Sequence, residues 1–394
     1  MMMRDLTQVV HHPQVSEQGF ASLAVPVYRA STIIFDSAQA YADRKDRGPD
    51  GYSYGLHGTP TTKMLEAQLS ALEQADHSVI LPSGQAAIAI LFLTICQAGD
   101  EVLIPDNAYP AVRGFCEDYM APRGIGHRIY DPMIGAGIGD MIGPSTRLIW
   151  TESPGSTSME VGDLPAIAGA ARVRGVLTGC DNTWATPLLF KPLTIGIDVA
   201  MEALTKYVGG HSDLLLGSLS LRDRSWYERI RSTMRMLGIG VSPEDCALAL
   251  RGIETMGVRI GHIGRISTDF AHRLQSMPAV AKVLHPALPD CSGHDHWKRD
   301  FAGASGVFSI VLEPGCDGAL DTALGDLRVF AIGASWGGSR SLIAPMSLDR
   351  ARTVTPWLHE GRLLRISIGL EDPADLWDDL SRLLTSLVPA GSGG

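Results

Sequence analysis

The chain has 394 residues, 45% of them hydrophobic and 19% charged, enough for two to three domains of about 150 residues with sizeable cores. Its net charge of −10 leaves no surplus of Lys and Arg to displace counterions, which argues against a nucleic-acid partner. The six cysteines (Cys96, Cys116, Cys180, Cys246, Cys291 and Cys316) form no CxxC pair, residues 1–14 lack a secretion-type apolar segment, and the apolar run 86–96 is too short to span a membrane. A reduced, cytoplasmic protein without a membrane partner is therefore expected.

Residues 1–60 read as an irregular arm, punctuated by Pro26, Gly48, Pro49, Gly51, Gly55 and Gly58, that can wrap a neighbouring subunit. Thr59 with Pro60 is a helix start, and Leu65, Leu69 and Leu72 recur at helical spacing. Short apolar runs at 79–81, 101–105, 147–151, 176–180, 197–200 and 214–221 then alternate with helical stretches. That alternation predicts a mostly parallel α/β sheet flanked by helices over 61–253. Beyond it, a helical stretch at 252–277 leads to strands at 280–284, 306–312 and 364–367 and a helix over 321–330. Residues 254–394 are thus expected to form a smaller α+β domain.

Ligands of parallel sheets sit beyond the carboxyl ends of the strands, and Ser83, Glu152, Asp181 and Lys206 all fall at such ends. A desolvated Lys becomes a usable amine nucleophile and base. Lys206, 25 positions after Asp181, is expected to supply the amine that bonds the aldehyde of pyridoxal 5'-phosphate, and Asp181 the carboxylate that keeps the ring nitrogen protonated. Ser83-Gly84-Gln85 opens a helix after a strand, either as an ordinary cap or as a cradle for the cofactor phosphate. Thr205 and Tyr54 are further candidate phosphate donors. Tyr109, after another strand, either stacks on the cofactor ring or fills the core. Arg365, on an apolar strand, either clamps a substrate carboxylate or pairs with Glu371 or Asp372.

Two motifs are set aside. The glycines of Gly135-Ala136-Gly137-Ile138-Gly139 are misspaced for a dinucleotide loop, and a loop with a short helix is expected. His294-Asp295-His296 lacks a second ligand cluster and reads as a polar loop, so no metal is expected.

Together the segments Tyr54-Gly55-Leu56-His57-Gly58-Thr59-Pro60-Thr61, Ser83-Gly84-Gln85-Ala86-Ala87-Ile88, Glu152-Ser153-Pro154-Gly155-Ser156, Asp181-Asn182-Thr183-Trp184, Thr205-Lys206-Tyr207, Ser335-Trp336-Gly337-Gly338 and Arg365-Ile366-Ser367-Ile368-Gly369-Leu370-Glu371-Asp372 resemble the Cys/Met-metabolism family of pyridoxal-phosphate enzymes. The resemblance runs from about Gly51 to Asp372 and is nearest to the family's cystathionine β-lyase branch. It implies the PLP-transferase fold of type I, an amino-acid substrate and a homotetramer built from dimers, with Tyr54 reaching into the neighbour's pocket. It also implies that Lys206, Tyr109 and Tyr54 are catalytic, and that Arg365, Ser335 and Trp336 hold the substrate. The implied reaction is β-elimination of L-cystathionine to homocysteine, pyruvate and ammonia in methionine biosynthesis. A γ-lyase or γ-synthase activity is the alternative within the family. Aminotransferase, nicotinamide dehydrogenase and non-catalytic regulator are the remoter ones. Three positions depart from the family pattern: Leu56 replaces a phosphate-binding Arg, Ala203 a phosphate-binding Ser, and Arg340 a Glu.

Overall fold

The computed structural model describes residue 16 and residues 18–348 and 352–388. The expectation for residues 1–14 lies outside the described residues. Residues 18–59 are largely irregular, as the density of Pro and Gly predicts. Thr59 then accepts from the Thr62 amide and starts the helix Pro60–Glu73, with Pro60 in its first turn.

The larger sheet has seven strands: β1 His77–Leu81, β2 Glu101–Pro105, β3 Gly126–Tyr130, β4 Thr146–Glu152, β5 Leu177–Asp181, β6 Val199–Glu202 and β7 Gly217–Leu221. Their spatial order is β1-β7-β6-β5-β4-β2-β3. β7 runs antiparallel to both β1 and β6, and the other pairings are parallel. The sheet is thus mostly parallel. β4 to β7 are buried almost throughout, because helices cover both faces. Trp150 of β4, fully buried, meets Phe92 of the helix Gly84–Ile95 edge to face, with ring centroids 5.4 Å apart.

The smaller sheet joins β8 Val280–Leu284, β9 Val307–Leu312, β10 Ala331–Ile332, β11 Leu342–Met346 and β12 Leu363–Ser367 in the order β10-β11-β12-β9-β8. Ser242 caps the helix Pro243–Leu274, which links the two sheets and runs unbroken through the expected 253/254 boundary. Gly252 stands where this helix crosses the backbone after Lys206: a Cβ there would lie 2.1 Å from the Val208 carbonyl oxygen.

Several local readings change. β7 begins at Gly217 rather than at 214, because the Leu216 backbone is engaged by the Thr205 hydroxyl. The helix expected over 321–330 is confined to Leu320–Gly325. His294 and His296 lie on a helix, His294–Asp300, not a loop. Their Nδ1 atoms pair with the carbonyls of Pro286 and Val161. Residues Gly135–Asp140 form the expected short helix. Among the described residues no His, Cys, Asp and Glu cluster could hold a metal, no helix is long and apolar enough to cross a membrane, and no cysteine is disulfide-bonded.

Candidate active site

A cavity of about 250 Å³ opens beyond the carboxyl ends of β4, β5 and β6. It gathers Ser83, Gly84, Gln85, Tyr109, Asp181, Thr205, Lys206, Trp336 and Arg365, nine of the residues singled out from the sequence. Ser335 joins them through its hydroxyl, which accepts from Lys206 Nζ at 2.6 Å. Tyr54 does not line its own chain's cavity. It stands half-exposed on the arm, beside His57.

Lys206 is fixed by the turn after β6. Its amide donates to Ala203, its carbonyl accepts from Gly210, and Nζ lies 5.2 Å from the centre of the Trp336 ring. Gly337, at φ +86°, brings the Ser335–Gly338 segment against this Lys, and a Cβ there would sit 3.1 Å from the Lys206 carbonyl carbon. Burial, reinforced by the Arg365 guanidinium and opposed by Asp181, lowers the Lys206 ammonium to about 8. About a tenth of the amine is therefore free at pH 7, far more than for an ordinary Lys.

Asp181 ends β5 and accepts from the Thr183 amide at 3.0 Å. Burial raises its carboxyl above the usual range, while the Thr183 hydrogen bonds and Lys206 pull it back. Such a group accepts a cation readily, because pairing offsets its desolvation. Arg365 donates to the carbonyls of Ala334 and Ser335 at 2.7 and 3.3 Å. The rival ion pairs do not form: Glu371 instead binds the Ser341 amide and hydroxyl, and Asp372 caps the helix Pro373–Leu387. Among the described residues no carboxylate lies within ion-pair distance of Arg365, so its charge is available to a ligand.

The first turn of the helix Gly84–Ile95 also lines the cavity. Ser83 Oγ is occupied by the Ala86 amide at 3.0 Å, so Ser83 acts as the cap its sequence position suggests. A Cβ on Gly84 would meet Ala203 Cβ at 2.8 Å, which leaves room only for a glycine backbone beside the cavity. The Thr205 hydroxyl is committed to Leu216. These features fit pyridoxal phosphate at three points: an amine poised near neutrality, a buried carboxylate beside it, and a helix N-terminus bounding the cavity.

Sequence reasoning left two contributors unassigned. Glu152 Oε2 accepts from the Tyr109 amide at 2.6 Å, and Glu152 lines the cavity. Asp106 accepts from the amides of Thr353, Val354 and Thr355 at 3.0, 2.9 and 2.7 Å, tying that segment to the loop that carries Tyr109. Glu152 had a signal, its place at a strand end. The Asp106 contact spans 247 residues and has no local signature.

Comparison with known proteins points to the same cofactor. Residues 6–385 match the family described as Cys/Met metabolism PLP-dependent enzyme. Cystathionine beta-lyase MetC of Escherichia coli (strain K12) is 37% identical over 390 residues, covering 97% of this chain and 98% of that protein. L-alanine/L-glutamate racemase of Wolbachia pipientis wMel is 39% identical over 381 residues, covering 93% of each. Among solved structures, cystathionine gamma synthase from Xanthomonas oryzae pv. oryzae in complex with aminoacrylate and cysteine superposes with a TM-score of 0.85 at 28% identity, covering 94% of this chain and 95% of that one.

Proposed function

This chain belongs to the Cys/Met metabolism family of PLP-dependent enzymes, with pyridoxal 5'-phosphate as its cofactor, and from that premise we propose that it is a carbon–sulfur lyase that β-eliminates L-cystathionine. With one water consumed, the products are homocysteine, pyruvate and ammonia. When bound, the cofactor supplies an electron sink for the pair left at the substrate Cα. Lys206 would hold it covalently, Asp181 would pair with its ring nitrogen, and the first turn of the helix Gly84–Ile95 would face its phosphate. Arg365 fixes the substrate α-carboxylate through a forked pair of N–H donors. Lys206 removes the Cα proton and returns a proton to the departing sulfur, a double task suited to an amine whose ammonium sits at about 8. Tyr109 and Trp336 both line the cavity, Trp336 with its ring 5.2 Å from that amine.

The carrying observation is the trio Lys206, Asp181 and Arg365 in one cavity, with Arg365 lacking any protein carboxylate among the described residues. The test is product identification with purified holoenzyme on L-cystathionine. Pyruvate with homocysteine is expected. Predominant 2-oxobutyrate overturns β-elimination in favour of the γ-chemistry of other family members.

A second reading, amino-acid racemisation, is favoured by the 39%-identical racemase and shares the Cα deprotonation by Lys206. Chiral analysis of L-alanine and L-glutamate after incubation separates the two. We further propose a cytoplasmic homotetramer in which the arm and Tyr54 pack on a neighbour. In support, the arm carries exposed apolar side chains, with Phe20 78% and Ile34 89% exposed. Sedimentation tests the assembly.

A further inference from the structure

Three adjacent strands end in carboxyl groups: β4 in Glu152, β5 in Asp181 and β6 in Glu202. Glu152 and Asp181 are direct register partners. Neighbouring strands lie about 4.8 Å apart, so two full negative charges here would oppose each other strongly in a buried setting. The proposed function needs the negative charge on Asp181. Glu152 must then do something other than carry charge, and its surroundings show what. Its Oε2 accepts from the Tyr109 amide at 2.6 Å, across 43 residues of sequence. Among the described residues no Lys, Arg or His lies within ion-pair distance of it. The Ser156 amide, on a loop that also lines the cavity, donates to the Asn107 carbonyl at 2.9 Å and so joins that loop to the segment that carries Tyr109.

We propose that Glu152 is a positioning residue: its carboxyl clamps the Tyr109 amide, and so sets where the Tyr109 ring stands over the cavity. The proposal deepens the proposed function, because it takes Tyr109 as a wall of the reacting site. The titratable groups facing Glu152 are Asp181 on β5 and Cys180 beside it; Lys206 acts on Asp181 from the turn after β6. Burial, and then the charge of Asp181, push the Glu152 carboxyl well above the usual carboxylate range. A neutral carboxyl still accepts from the amide through its C=O, so the clamp needs reach rather than charge.

That distinction gives the experiment. Glu152→Gln keeps the length and the accepting oxygen but removes the acid. Glu152→Asp keeps the acid but withdraws it by one methylene. Hydrogen exchange of the peptide around Tyr109 is read in the apoprotein, where it does not depend on any activity. Kinetics and the visible spectrum are read in the holoenzyme. Glu152→Gln is expected to hold amide protection within about threefold of the parent, and Glu152→Asp to lose about tenfold or more. kcat/KM should follow the same ranking, with Glu152→Gln ahead by tenfold or more. The reverse ranking in kcat/KM with Tyr109 still protected in both variants would make Glu152 a proton-transfer group and overturn the proposal. Equal protection in all three proteins would show that no clamp exists. Either result leaves the pyruvate assay untouched, so the failure of this inference is separable from failure of the lyase assignment.

Discussion

The amine of Lys206 gives the most direct test of the site's electrostatics. Its ordinary value is 10.5 and the site brings it to about 8. At pH 7 an ordinary Lys is about 0.03% free amine, while one at 8 is about 10%, a gain of roughly 300-fold. The assay is covalent capture of pyridoxal phosphate by the apoprotein, followed by growth of visible absorbance and by borohydride trapping between pH 6 and 10. The capture rate should rise about tenfold per pH unit and level off near 8. Because Arg365 lowers the ammonium and Asp181 raises it, Arg365→Leu should move the break upward and Asp181→Asn downward. Lys206→Ala should give no capture. A break near 10 in the parent, or shifts of the same sign in the two variants, would refute this account of the amine. The same depression has a stability sign. Between 8 and 10.5 the unfolded chain binds more protons at this Lys than the folded one does, so its contribution to stability rises with pH across that window.

Burial raises Glu73 from 4.5 to about 7, against the Asn182 hydrogen bond and Lys191. The folded chain holds that proton more tightly, so stability falls as pH rises from 4.5 to 7; Glu73→Gln should add roughly 2–3 kcal/mol above pH 7 and nothing below 4.5 in urea unfolding. Gly84→Ala places a Cβ 2.8 Å from Ala203 Cβ, and should weaken pyridoxal phosphate binding tenfold or more while the circular dichroism is unchanged. Ala203→Ser adds a hydroxyl to the same wall and should tighten binding by up to about tenfold, the worth of one hydrogen bond at about 0.5–1.5 kcal/mol. Equilibrium titration of the apoprotein checks both.

What the sequence made legible divides by the range of the physical cause. Ser83, Asp181 and Lys206 were readable because a buried parallel strand declares itself as a short apolar run, and ligands gather where such runs stop. β3 escaped because it is an edge strand whose residues, Gly-His-Arg-Ile-Tyr, alternate between exposed or half-buried positions and only Tyr130 is buried. The helix Pro243–Leu274 starts well before the helical stretch expected at 252–277, at a Ser-Pro-Glu-Asp cap, and carries Gly252 in its interior. That glycine is set by close backbone crossing, a tertiary cause that overrides helix propensity. The His294–Asp300 helix was hidden because its two imidazoles are held by carbonyls outside it, Pro286 and the distant Val161, rather than by its own pattern.

The same division explains why the reactive groups were easier to find than the groups that hold them in place. A catalytic amine or carboxylate needs an unusual residue at a strand end, and strand ends are local features. Holding Tyr109 needs Glu152 from β4, and anchoring its loop needs Asp106 joined to Thr353–Thr355 across 247 residues. These partners are ordinary polar residues whose meaning arises only when the chain folds back. Charge makes the point sharply. Lys206 and Asp181 each sit off their ordinary protonation behaviour because burial penalises both, and their mutual attraction compensates only in part. A second anion at Glu152 would push Asp181 further toward protonation and undo its use as the partner of a ring cation. Keeping that neighbour neutral, and using it as a hydrogen-bond clamp instead, lets three carboxyl-tipped strands lie side by side while only the central one bears the charge that the chemistry requires.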